Sequence, residues 1–147
     1  PVPISSYDHI TACDPVLADD KYAYVTIRTG TRCANGRYLL DVIDISSITN
    51  PYLVKSYPLF NPHGLGIDGN LLFICDCNAG LKIYDKSDPL AIITHQLAHY
   101  PDFNTFDVIP MNGILMLVGE GGIYQYDYKD VMNIKQISHI AVVDAGK

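Results

Sequence analysis

The residues with the most chemistry to offer are two aspartates and a histidine at matching places along the chain. Asp14, His63 and Asp107 each stand just ahead of a short apolar run. Each also follows a tyrosine at a near-constant interval: 7 residues from Tyr7 to Asp14, 6 from Tyr57 to His63, and 7 from Tyr100 to Asp107. Two carboxylates and an imidazole gathered at one point would suit a divalent cation. The structural alternative is that all three cap backbone amides, because Cys13-Asp14-Pro15 and Asn61-Pro62-His63-Gly64 both read as turns.

Other chemical signals are sparse. Asp76 and Glu120 fall in loops expected near the same end of the fold, and Arg28, Arg32 and Arg37 belong to or border a long loop, 28–37. These five are candidates for an interaction rim. His9, His95, His99 and His139 follow no pattern. Gly119-Glu120-Gly121-Gly122 lacks the strand–loop–helix setting of a phosphate cradle and reads as a turn. No nucleophile elbow, His-Glu-x-x-His string or EF-hand loop is present. A net charge of −6 argues against a nucleic-acid partner, whose affinity rests on clustered Lys and Arg. No run of 18 apolar residues exists to cross a membrane as a helix.

The elements that must position these residues are short strands. Residues 62–85 hold three apolar runs, Gly-Leu-Gly-Ile, Leu-Leu-Phe-Ile-Cys and Leu-Lys-Ile-Tyr-Asp. Asp68-Gly69-Asn70 and Asn78-Ala79-Gly80 separate them, which spells a β-meander. The same plan recurs upstream and downstream. The aspartate that closes the third run returns as Asp44, Asp85 and Asp127, at spacings of 85 − 44 = 41 and 127 − 85 = 42. A period of about 40–45 residues with four strands per unit is that of a propeller blade. An aspartate present in every unit is expected to bond the following turn rather than to act in catalysis.

Aligned third-strand positions, Leu40/Leu81/Ile123 and Val42/Ile83/Gln125, alternate with Ile43, Tyr84 and Tyr126. Both faces of each sheet are therefore largely apolar, and such a sheet must be sandwiched between others. The expected fold is all-β: a β-propeller fragment of about three four-stranded antiparallel blades at 14–60, 61–103 and 104–147. Residues 1–13 are expected to be the last strand of a preceding blade. The chain opens on Pro1-Val2-Pro3, so its start is expected to lie elsewhere. Fourth strands are expected at 52–59, within 91–99 and at 134–142, the second of these with a short helix as alternative. A small β-sandwich of three meanders is the alternative to the propeller.

The runs Leu-Asp-Val-Ile-Asp-Ile-Ser-Ser-Ile-Thr-Asn-Pro at 40–51 and Gly-Leu-Lys-Ile-Tyr-Asp-Lys-Ser-Asp-Pro at 80–89 resemble the LVIVD-repeat family, whose units centre on such a strand followed by Ser-Asp-Pro. The third copy matches less well, with Gln125 at an apolar position and no proline. The resemblance implies a β-propeller exported to the periplasm, outer membrane or cell surface of a Bacteroidota-type bacterium. Attachment there would come only through a lipid anchor outside this chain. It implies no defined activity.

In that setting the cysteines acquire a reading. Cys13 and Cys33 belong to one unit, the long loop gives Cys33 reach, and a disulfide between them fits an exported protein. Cys75 and Cys77 alternate on a strand, which opposes a bond between them. They are expected to be one buried thiol and one loop thiol, with a four-thiolate zinc site as alternative. Two functions follow. One is a non-enzymatic interaction module or accessory subunit of an envelope complex, with a protein partner and no cofactor. The other is a hydrolase or lyase using a divalent cation at a channel mouth lined by Asp14, His63 and Asp107.

Overall fold

The computed structural model describes residues 1–7, 15–29 and 36–142. Among the described residues twelve strands form three antiparallel sheets of four, each in chain order. The first holds β1 (Val16–Ala18), β2 (Tyr22–Ile27), β3 (Leu39–Asp44) and β4 (Tyr52–Pro58). The second holds β5 (Leu65–Asp68), β6 (Leu71–Cys75), β7 (Leu81–Asp85) and β8 (Gln96–Tyr100). The third holds β9 (Thr105–Met111), β10 (Ile114–Gly119), β11 (Gly122–Asp127) and β12 (Lys135–Ala141). The protein is all-β, as its periodicity predicts, with one 3₁₀ turn at Ile92–His95.

The turns explain the registers. Asn112 and Gly113 both take positive φ, +52° and +82°, which a two-residue hairpin of right-handed twist requires. The repeated aspartates bond the turn after them, as expected. Asp44, Asp85 and Asp127 each accept the N–H two residues on, from Ser46, Ser87 and Lys129, at 2.8, 2.9 and 2.9 Å.

The segment before β8 departs from the expected strand over its first half. Tyr57 takes the Ile92 N–H, and the Thr94 N–H donates to the Ala91 carbonyl. Amides spent in this way cannot enter a ladder, so the strand starts only at Gln96. Residues 1–7 form no strand; Tyr7 packs beside the first sheet's Ala23, Val25, Ile27 and Ile43.

The sheets stack in chain order. Tyr24, Leu40 and Val42 of the first sheet meet Leu65, Leu72, Ile74 and Tyr84 of the second. Phe73, Cys75, Leu81 and Ile83, on the second sheet's opposite face, meet Val108, Leu115, Leu117 and Tyr126 of the third. The middle sheet is thus buried on both faces. That is why β6 reads as an unbroken apolar run rather than as an alternation.

Two polar ties recur at each interface. The Tyr57 hydroxyl donates to the Pro89 carbonyl at 2.7 Å while accepting from Ile92, and the Tyr100 hydroxyl donates to Val131 at 2.7 Å while accepting from Ile134. In the second tie, the residue after Asp85 or Asp127 reaches back to the first hairpin of the preceding sheet. Lys86 pairs with Asp19, and Tyr128 donates to Asp68. Tyr100→Phe strands the Val131 carbonyl and the Ile134 N–H, and is expected to cost about 1–3 kcal/mol in urea unfolding. Tyr126→Phe, whose hydroxyl has a single long bond to Gln136, should cost less.

None of the described residues covers the outer face of the third sheet. Ile109, Met111, Met116, Val118 and Ile140 share that face by register, and all are exposed. On the middle sheet Phe73 and Cys75, which match Met116 and Val118, are fully buried.

Candidate functional site

The first strands of the three sheets come together. β1, β5 and β9 line one apolar groove of about 410 Å³ through Val16, Leu17, Leu65, Ile67, Val108 and Ile109. Gly66 permits this convergence, because a Cβ there would lie 2.3 Å from the Pro110 ring.

At one end the groove adjoins a smaller hollow of about 180 Å³ among Arg28, His63, Gly64, Phe106 and Asp107. Backbone bonds fix its walls. The His63 N–H donates to Cys75 at 2.7 Å, the Gly64 N–H to Phe106 at 2.9 Å, and the Thr26 hydroxyl to the His63 carbonyl. Asp107 packs so tightly on Gly64 that any side chain at 64 would overlap it. His63 and Asp107, two of the three candidates, thus line one hollow, and the third, Asp14, lies outside the described residues.

What the hollow can do is set by Arg28. Its guanidinium lies 2.9 and 3.1 Å from the two ring nitrogens of His63 and donates to whichever lacks a proton. Burial, and then the Arg28 charge, hold the imidazole below its ordinary pKa. A divalent ion on His63 would have to displace that guanidinium. Asp107 accepts its neighbouring Val108 N–H at 2.9 Å, which is the capping role. No cluster of three metal-ligating side chains occurs among the described residues.

The lowered His63 pKa has a measurable consequence. Between the folded pKa and the unfolded value of about 6.5, the unfolded chain binds the extra proton. This stabilisation is therefore present above about pH 6.5 and lost as the pH falls. Wild-type protein should lose more stability than His63→Gln when urea midpoints are compared between pH 7 and pH 5.

The remaining candidates separate. Arg37 and Glu120 are exposed. Arg32, Cys13 and Cys33, and with them the expected disulfide, lie outside the described residues. Asp76 is a correction: expected on the rim, it is fully buried. It accepts the Phe60 and Asn61 N–H groups, the latter at 2.7 Å, and the Lys82 ammonium. Its two N–H donors come from a linker 15–16 residues away, so a Cys-Asp-Cys string at a strand end gives no hint of them. Cys75 is buried and Cys77 half-buried, both as free thiols. Burial pushes the Cys75 thiol up to about 12. Glu120-Gly121 forms the tight β10–β11 turn, as expected.

Sequence reasoning missed a second hollow, of about 370 Å³, between the β8–β9 linker and the third sheet. Phe103, Asn104, Glu120, Tyr124 and Tyr126 line it. A signal for it existed: Tyr-Pro-x-Phe-Asn occurs at 57–61 and again at 100–104. No protein-family model matches this chain, and no curated protein matches it.

Proposed function

We propose that the three sheets are consecutive blades of a β-propeller that serves as a non-enzymatic protein-interaction module of the bacterial cell envelope. The observation that carries the architecture is the fan of sheets, with first strands along a shared groove and interfaces built twice to one plan. The uncovered apolar face of the third sheet supports it, because a further sheet of the same kind would bury that face as the third sheet buries Phe73 and Ile83. The interaction role is supported by a mouth whose imidazole is engaged by Arg28 and whose carboxylate caps a backbone amide, and by exposed loop residues such as Arg37 and Glu120. The envelope setting rests on the resemblance of the runs at 40–51 and 80–89 to LVIVD repeats. Purification from envelope fractions should recover the protein with a membrane protein at fixed stoichiometry; recovery only as an isolated monomer would count against the role.

The second reading, a hydrolase or lyase using a divalent cation, draws on the meeting of His63 and Asp107 in one hollow. It requires bound metal in the purified protein and loss of that metal in His63→Ala. Absence of metal would remove it.

A further inference from the structure

The second and third sheets solve the same electrostatic problem in different ways. In the second, Asp76 holds the linker residues Phe60 and Asn61, and the Lys82 side chain of β7 supplies an ammonium to its carboxylate. In the third, the register puts Gly119 at the place of Asp76, and the residue after it, Glu120, reaches the next linker instead. Its N–H donates to the Asn104 carbonyl at 2.9 Å, and its carboxylate accepts from the Asn104 amide at 3.0 Å. By the repeat, Phe103 and Asn104 stand for Phe60 and Asn61, and Tyr124 stands where Lys82 would be. The built-in ammonium is missing. In its place is the hollow of about 370 Å³, near the lower end of the ~300–1,000 Å³ usual for small-ligand sites.

The lining is suited to a positive charge. Asp102 and Glu120 stand at the rim, and neither forms an ion pair with a lysine or arginine among the described residues. The walls are aromatic, and packing fixes the rings. Phe103 stacks on Tyr126 with centroids 5.2 Å apart, and Tyr124 stacks on His139 at 4.2 Å. The Tyr124 hydroxyl is held by the Glu120 carbonyl at 2.8 Å. Aromatic walls with carboxylates at the mouth are the arrangement that recognises alkylammonium groups, through ring quadrupoles and direct charge.

We propose that this cleft binds an organic cation, an alkylated ammonium head that takes the place Lys82 fills in the preceding repeat. Every lining residue lies on this chain, so the site does not depend on the propeller reading or on an envelope partner. The head group could arrive free, as in choline, or on a side chain, as in trimethyl-lysine.

The test is an NMR titration of the 147-residue protein with choline, with a short trimethyl-lysine peptide, and with 3,3-dimethylbutanol, the uncharged isostere of choline. At least one cation should give saturable shifts at Tyr124, Tyr126 and Asn104 below ~10 mM, with the isostere at least about tenfold weaker. Stronger binding of choline assigns a free ligand, and stronger binding of the peptide assigns a side chain. Glu120→Gln with Asp102→Asn, both at exposed positions, should weaken binding about tenfold while leaving the urea midpoint unchanged; Tyr124→Leu should weaken it similarly. The proposal is overturned if neither cation saturates, if the isostere binds equally well, or if the charge-removing pair binds like wild type.

Discussion

Asp76→Ala should lower the unfolding free energy by about 3–5 kcal/mol, the cost of leaving a buried charge and its donors without their partner. The carboxylate is inaccessible to solvent and gathers three donors: two linker N–H groups and the Lys82 ammonium, itself largely buried. Removing it strands all three at once. It also frees the linker between the first and second sheets, because Phe60 and Asn61 lie between β4 and β5. A domain of this size has a total stability of about 5–15 kcal/mol, so the variant should sit near the edge of folding. Asp76→Asn keeps one acceptor for the linker amides but loses the charge that Lys82 needs, and should fall in between. Urea unfolding followed by circular dichroism measures both. An Asp76→Ala midpoint within error of wild type would mean that the carboxylate is solvated.

Phe73→Ala should cost about 3–5 kcal/mol by the same measurement. Phe73 is fully buried, meets the Tyr128 ring edge-on at 5.1 Å, and sits where the second and third sheets press together. Its removal opens a cavity between two sheets that cannot close further, because Gly66 already brings β5 against Pro110. The informative control is Met116→Ala. Met116 occupies the matching register position on the third sheet, yet it is 38% exposed. Its truncation should change stability by no more than about 0.5 kcal/mol. One aligned position thus gives opposite outcomes, depending only on whether another sheet lies over it.

Much of this fold could be read from residue order. Asp44, Asp85 and Asp127 marked the period because each closes an Asx-type turn, a local bond that needs no tertiary context. Asn112-Gly113 fixed its hairpin for the same reason. Two-sided burial was visible in Leu71–Cys75, where alternation gives way to a continuous apolar run.

What escaped depended on distant partners. The residues before β8 look like strand, but the Tyr57 hydroxyl, 35 residues away, claims the Ile92 N–H. Asp76 looks like a loop carboxylate until Phe60, Asn61 and Lys82 close on it. His63 was singled out by its spacing, yet the Arg28 guanidinium that engages its ring follows β2 of a different sheet, 35 residues away. The cleft at Glu120 was legible only as a difference between repeats, the exchange of Lys82 for Tyr124, and alignment of apolar positions passes over that exchange.

Native-state hydrogen exchange tests the stacked arrangement most directly, because it reports on each strand's cover separately. Amides of β6 and β7, sealed on both faces, should exchange only through global unfolding. Those of β12, whose side chains are mostly exposed, should exchange through smaller local openings. Greater protection in β12 than in β6 and β7 would contradict a middle sheet held between its two neighbours.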